Sequence, residues 1–168
     1  MADNVPFSVC FSGHRPEQLP VGTAMQMLRR RLLDEIESAV RDGADTFYTG
    51  MAQGIDILAA ESVLSCRRKR CLPLRLIAVR PYANHGKELR RTALYRYNSI
   101  LEGADEVIVL REAYARSCYS ERNAYMIEHS RRLIAVVGNM QSGTGQTIRM
   151  AEKAGLELRI LKIAPVLR

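Results

Sequence analysis

Residues 133–147 read LIAVVGNMQSGTGQT. A short, uninterrupted run of mostly branched apolar residues breaks into Gly, Asn, Ser and Thr, and a helix-forming stretch follows. A run of this length and composition fits a strand buried on both faces, and the small polar residues after it fit a tight turn opening a helix. The same grammar recurs upstream. Residues 46–56 read TFYTGMAQGID and residues 7–16 read FSVCFSGHRP. Strand, glycine-bearing turn and helix in repetition predict βαβ units closing a parallel sheet.

Extending that reading along the chain places strands near Phe7 to Phe11, Thr46 to Tyr48, Leu74 to Val79, Glu106 to Leu110, Leu133 to Val137 and Leu158 to Ile163. Helices are expected near Val21 to Arg41, Ile55 to Lys69, Lys87 to Leu101, Ser120 to His129 and Thr144 to Ala154. In the first helix Leu28, Leu32 and Ile36 recur every fourth residue while Arg29, Arg30 and Glu37 fall on other faces, the pattern of a helix packed on a surface. Gly43, Gly103 and Gly155 each follow a helical stretch where a left-handed cap is expected. The predicted fold class is therefore α/β, a Rossmann-like doubly wound, mostly parallel sheet of about six strands with helices on both faces and the sheet buried on both sides.

Residues 1–168 suffice for one such domain, with no repeat, linker or low-complexity tract. A hydrophobic fraction of 47% and a charged fraction of 26% exclude a disordered or fibrous chain. The leading MADNVPFSVCFSG carries acid, not base, ahead of an apolar run too brief for a signal or a membrane span, so a cytoplasmic location and no membrane partner are expected. Cys10, Cys66, Cys71 and Cys118 fall in separate segments with no CxxC or adjacent Cys/His pair, which fits a reduced compartment and argues against a metal site. A formal net charge of +7 favours anionic partners, nucleotide phosphate and nucleic acid alike. The run Arg67 to Arg70 is better read as cations closing a helix C-terminus.

In a doubly wound sheet, ligands bind beyond the carboxyl ends of the strands, near the point where strand order reverses. The turns after the strands are thus the candidate site. After the first strand, Gly13 permits close backbone approach, and His14 and Arg15 offer donors to an anion. After the second, Gly50 and Gly54 open a helix whose free N–H groups suit a phosphate, and Asp56 is placed either to meet a ribose hydroxyl or to cap that helix. Tyr82 follows the third strand as a candidate base-stacking ring, and Arg122 and Asn123 follow the fourth. After the fifth come Ser142, Gly143 and Thr144, small and hydroxyl-bearing residues ahead of a helix N-terminus, the strongest phosphate signal in the chain.

FSGHRP, GMAQGIDILAAE, ERNAYMIEHS and SGTGQTIRMA, in that order, resemble the YpsA-like branch of the SLOG superfamily over nearly the whole chain. The resemblance implies a Rossmann-like fold shared with nucleotide-processing enzymes, with DNA-processing protein A and with proteins proposed to sense nucleotide-derived signals. Matched residue by residue, it implies a pocket lined by Gly13, His14, Arg15, Gly50, Gly54, Asp56, Glu61, Arg122, Asn123, Gly143 and Thr144. Two positions depart from the branch pattern. Ser142 stands where the first glycine of a GGT triplet is usual, and Glu128-His129-Ser130-Arg131 stands where an Asp-Ser-Asp-like stretch is common.

Three function classes follow. The leading one is a module that binds a nucleotide or nucleotide-derived small molecule, as ligand and not as established cofactor, for sensing or processing. The second is a hydrolase cleaving an N-glycosidic or phosphoester bond, with Asp56, Glu61 and Glu121 as available carboxylates. The third is single-stranded DNA binding, in which tyrosines such as Tyr82 or Tyr119 would supply stacking. Phosphoribohydrolase chemistry of the Lonely-Guy type is not expected, because Thr147 stands where that family's PGGxGTxxE signature places its glutamate. Homodimerisation is the default expectation for such a domain.

Overall fold

Two strands can pair in parallel only if the chain crosses back over a face of the sheet between them, and each crossover here contains a helix. The computed structural model describes residues 6–166; the acidic lead-in at residues 1–5 lies outside the described residues. The elements run β1 (Ser8–Gly13), a 3-10 turn (Pro16–Gln18), α1 (Gly22–Arg41), β2 (Thr46–Thr49), α2 (Ile55–Arg70), β3 (Arg75–Arg80) and α3 (Arg91–Gly103). They continue with β4 (Glu106–Val109), α4 (Cys118–Glu128), β5 (Arg132–Val137), α5 (Gly143–Lys153) and β6 (Glu157–Lys162). The strands form one sheet in the order β4-β3-β2-β1-β5-β6, and every pairing is parallel. The fold is the Rossmann-like α/β architecture that the sequence predicts.

Alternation along each central strand distributes its side chains between two cores. Val9, Phe11, Phe47, Leu76, Ile134 and Val136 meet Leu28, Leu32, Ile36, Ala59, Val63 and Ile100 from α1, α2 and α3. On the opposite face Cys10, Tyr48, Ile77, Leu133 and Ala135 meet Met126, Ile127, Ile148 and Ala151 from α4 and α5. Both faces being apolar, the central strands carry no polar alternation.

Strand order reverses between β1 and β5: from β1 the chain winds outward through β2, β3 and β4, then returns to lay β5 on the other side of β1. The register Gly13↔Val136 brings the carboxyl ends of these two strands side by side. At that point the turns after β1 and β5 diverge and leave a crevice.

Three expectations need correction. The sheet is not buried on both faces throughout: β4 is an edge strand on which Val107 and Val109 remain 41% and 44% exposed, because α3 and α4 pack mainly over β3. The third helix starts at Arg91 instead of Lys87, since residues 82–89 are held in turns by Arg80, whose Nη2 donates to the carbonyls of Ala83 and His85. Gly43 and Gly155 do adopt positive φ beyond their helices, but Gly103 does not. It ends α3 because a Cβ there would stand 2.9 Å from Leu64 Cδ1. None of the helices in the described residues is long and apolar enough to cross a membrane.

Candidate functional site

A cleft of about 310 Å³ opens at the switch point, walled by the turn after β1, the first turn of α2, the start of α4 and the N-terminus of α5. Gly13, His14, Arg15, Asp56, Arg122, Asn123, Ser142, Gly143 and Thr144 line it, together with Ser12, Tyr119 and Thr147. Segments distant in sequence therefore meet at one place.

The α5 side is built for access. Ser142 is the N-cap: its hydroxyl accepts from Gly145 N–H at 3.3 Å and donates to the Asn139 carbonyl. The N–H groups of Gly143 and Thr144 have no partner among the described residues, and nothing lies within 4 Å of where a Gly143 Cβ would stand. Gly145 has the opposite reason for lacking a side chain, since a Cβ would collide with the Met140 carbonyl. The result is an accessible helix N-terminus with two open donors and the positive end of its dipole turned toward the cleft.

Arg122 faces that helix from α4. The residue is only 6% exposed; its guanidinium donates from Nη1 to the Gly50 carbonyl at 3.1 Å, and from Nε and Nη2 to Asn123 Oδ1. It makes no ion pair among the described residues; burial pulls its pKa below the ordinary arginine value, with Asp56 the main opposing influence. Asn123 passes the arrangement on, donating from Nδ2 to Thr147 Oγ1, which donates to the Gly143 carbonyl. The ring of Tyr119 lies beneath both cations, 5.3 Å from the Arg122 guanidinium carbon and 5.8 Å from that of Arg15. Arg15 itself is exposed at the mouth.

His14 lines the cleft, but as a brace instead of the anion donor expected from sequence. Its Nε2 accepts from the N–H groups of Gly138 at 2.8 Å and Asn139 at 3.3 Å, so the ring proton sits on Nδ1, 3.4 Å from Thr144 Oγ1. Burial holds its pKa below the usual histidine value. The ring thus fastens the turn after β5 to the end of β1.

Gly50 and Gly54 sit behind the cleft and do not line it. A Cβ on Gly50 would stand 2.8 Å from Arg122 Nε and 2.9 Å from Asp56 Oδ2, so this glycine lets the two charged groups approach. Gly54, at φ +100°, lies against the His14 carbonyl, which accepts the Ile55 N–H. Asp56 Oδ2 accepts the Ala52 N–H at 3.2 Å, a bond to the turn before α2 and not to the helix's own N–H groups, and burial pushes its carboxyl above the usual range. The His14 carbonyl takes the Ile55 N–H and the chain leaving β1 lies against Gly54, so Gly50 and Gly54 do not open a phosphate site, which corrects the reading of this turn.

Two predicted residues lie elsewhere. Glu61 forms a bidentate pair with Arg96 that joins α2 to α3; five residues beyond Asp56, it points about 140° away around the helix. Tyr82 packs edge-on against His85, Tyr114 and Tyr119, with burial and the Tyr119 hydroxyl pushing its phenol up to about 12. Glu121, a candidate carboxylate for hydrolysis, is clamped by Arg111 and Ser117 and held down at about 2. Sequence reasoning does not place Tyr119 and Thr147 among the lining residues, although the spacings Tyr119–Arg122 and Thr144–Thr147 put each on the helix face of a residue it does select.

Comparison with known proteins agrees with this fold. Residues 9–162 match the sequence model of the family described as the YspA SLOG family. The chain is 27% identical, over 154 residues, to the uncharacterized SPbeta prophage-derived protein YoqJ of Bacillus subtilis (strain 168), a match covering 84% of this chain and 90% of that protein. Its fold resembles that of DNA processing protein A from Helicobacter pylori, a structure described for its single-stranded DNA binding mode, with a TM-score of 0.64 and 19% identity. DNA processing protein A from Streptococcus pneumoniae is similar at 0.62 and 18%. These matches cover 93% and 92% of this chain but only 65% and 50% of those two, and at such identities the likeness is one of fold.

Proposed function

From the premise that the chain belongs to the YspA SLOG family, we propose that the cleft between β1 and β5 binds the phosphate of a nucleotide or nucleotide-derived small molecule. The observation that carries this reading is Arg122. An arginine buried to 6% exposure without an ion pair is an expensive thing for a fold to maintain, since desolvating a charge costs several kcal/mol. Asp56 acts on Arg122 without forming an ion pair, and burial favours the neutral form of that carboxyl. A phosphate placed between Arg122 and the open N–H groups of Gly143 and Thr144 supplies the stronger counter-charge and satisfies the helix end together. The cleft volume of about 310 Å³ suits a mononucleotide-sized ligand.

A thermal-shift panel of adenine and guanine nucleotides, NAD and ADP-ribose tests the reading. At least one phosphate-bearing member is expected to raise the melting temperature, and the shift is expected to vanish in Arg122→Ala; a panel that leaves the wild type unmoved refutes it.

A second reading, single-stranded DNA binding, is favoured by the exposed Arg15 beside Tyr119 at the cleft mouth and by the fold likeness to DNA processing protein A. Phosphate tracking by a cation and stacking on a ring are the two elements such binding requires. An oligonucleotide mobility shift at low salt that disappears in Arg15→Ala would favour it; no shift at low salt removes it.

A further inference from the structure

Beside the main cleft lies a recess of about 40 Å³, walled by Gln53, His85, Gly86, Glu88 and Leu89. Arg15, Ala52 and Tyr119 line both spaces, so the two are neighbours sharing one wall. The recess is too small for a ring system but takes one exocyclic group with the edge that bears it, since a water molecule occupies about 30 Å³.

The polar groups around it are unusual in being unused. Gln53 Nε2 is buried and has no hydrogen-bond partner among the described residues. A buried amide N–H left unpaired is costly, and such a group marks a place where a partner is missing. His85 is fixed in one tautomer by its neighbours. The single Tyr97 hydroxyl hydrogen goes to the His85 carbonyl at 3.0 Å, while Arg80 Nε donates to the Tyr97 hydroxyl oxygen at 3.1 Å. The contact from His85 Nδ1 to that hydroxyl at 2.9 Å must then be a donation, which leaves Nε2 as a bare acceptor. Burial drives the ring's pKa down to about 4, so it stays neutral. Glu88, exposed at the rim, adds an acceptor.

We propose that this recess reads the base of the nucleotide by taking the exocyclic carbonyl and adjoining ring N–H of an oxo-bearing nucleobase of the guanine type, with Gln53 Nε2 donating to the oxygen. The proposal rests on the reading of the main cleft as a phosphate site. The base then lies along Tyr119 while its phosphate reaches Arg122 and α5, and the N–H groups of its edge turn toward the acceptors of His85 and Glu88. An adenine edge would bring its unprotonated ring N1 against His85 Nε2, acceptor against acceptor, a mismatch that no rotation of the Gln53 amide relieves.

Titration calorimetry on the full chain with guanosine monophosphate, adenosine monophosphate and ribose 5-phosphate tests this. The wild type is expected to prefer the guanine over the adenine nucleotide by about tenfold. Gln53→Ala should weaken binding of the guanine nucleotide, and Gln53→Glu, which offers only acceptors to the exocyclic oxygen, should weaken it further. Ribose 5-phosphate affinity should remain unchanged in both variants, whose melting temperatures report that they are folded. Equal or tighter wild-type binding of the adenine nucleotide overturns the proposal, as does a Gln53→Ala loss that is equal for ribose 5-phosphate and the guanine nucleotide. If none of the three compounds binds the wild type, the phosphate reading itself falls and this subsite with it.

Discussion

The turns that open α2 and α5 share a sequence signature, two glycines among small and polar residues between a buried strand and a helix, yet the fold uses them in opposite ways. At α2 the first helical N–H, that of Ile55, donates to the His14 carbonyl, and the first-turn residues Ile55, Asp56 and Ile57 are all buried. At α5 the N–H groups of Gly143 and Thr144 stay open among the described residues, while Ser142 satisfies only Gly145. What separates them is the neighbouring segment. The chain leaving β1 runs directly over the start of α2 and closes it, whereas on the other side the His14 ring props the turn after β5 by its Gly138 and Asn139 N–H groups and leaves the α5 terminus uncovered. A glycine-bearing helix start becomes an anion site only where no other part of the chain covers it.

The largest expected effect breaks the closed turn. Gly54→Val drives a Cβ to 2.3 Å from the His14 carbonyl at φ +100° and should cost more than about 3 kcal/mol in denaturant unfolding. Gly143→Val, in the open turn, should change stability by no more than about 0.5 kcal/mol while abolishing the ligand-induced thermal shift. Similar destabilisation in the two variants would erase the distinction between the turns.

Acid should act on the closed side. His85 holds a folded pKa of about 4 against an ordinary 6.5, so between those values the unfolded chain takes up a proton that the folded chain refuses. Stability should therefore fall as pH drops from 6.5 toward 4, by up to about 3 kcal/mol from this residue, and His85→Gln should flatten the slope. Burial shifts His14 in the same direction, so some slope should persist in that variant. A wild-type stability independent of pH across this window would contradict the burial of both rings.

Substitution of the cations sharpens the open side. Arg122→Ala and Arg15→Ala should each weaken binding of a phosphate ligand by about 1–3 kcal/mol in calorimetry, with the buried residue at the upper end. Arg122→Met should do so as well, and should also cost stability in the unliganded protein, because the Gly50 carbonyl and the buried Asp56 carboxyl lose the guanidinium that faces them. Unchanged affinity in both alanine variants would place the phosphate elsewhere. Ser142→Ala should lose the α5 cap and about 1 kcal/mol of stability by chemical denaturation.

The candidate site is legible in the sequence to the extent that it depends on strand ends. Arg15 and Ser142-Gly143-Thr144 can be picked out because they follow the ends of strands at the switch point, and Arg122 because it lies in the first turns of the helix reached from the fourth strand's end. A motif match misplaces Glu61 because it ignores the angle of about 140° that separates this residue from Asp56, and Tyr82 is misplaced because its loop packs on its own aromatic neighbours. For His14 the location is right and the role is wrong, since a histidine after a strand reads as a donor until the partners of its ring nitrogens are known.

By itself the sequence determined the layered architecture and the site's general location. Hydrophobic runs of strand length, helices with an apolar face and the glycines between them are local properties, and each is written in consecutive residues. Only the tertiary structure decided which helix start is open, that Arg122 is buried without an ion pair, and that Gln53 lacks a partner among the described residues. Those outcomes depend on which segments come to occupy the same hydrogen-bonding groups after folding. His14 and Ile55, or Arg122 and Gly50, lie far apart along the chain, and no local pattern records that they meet.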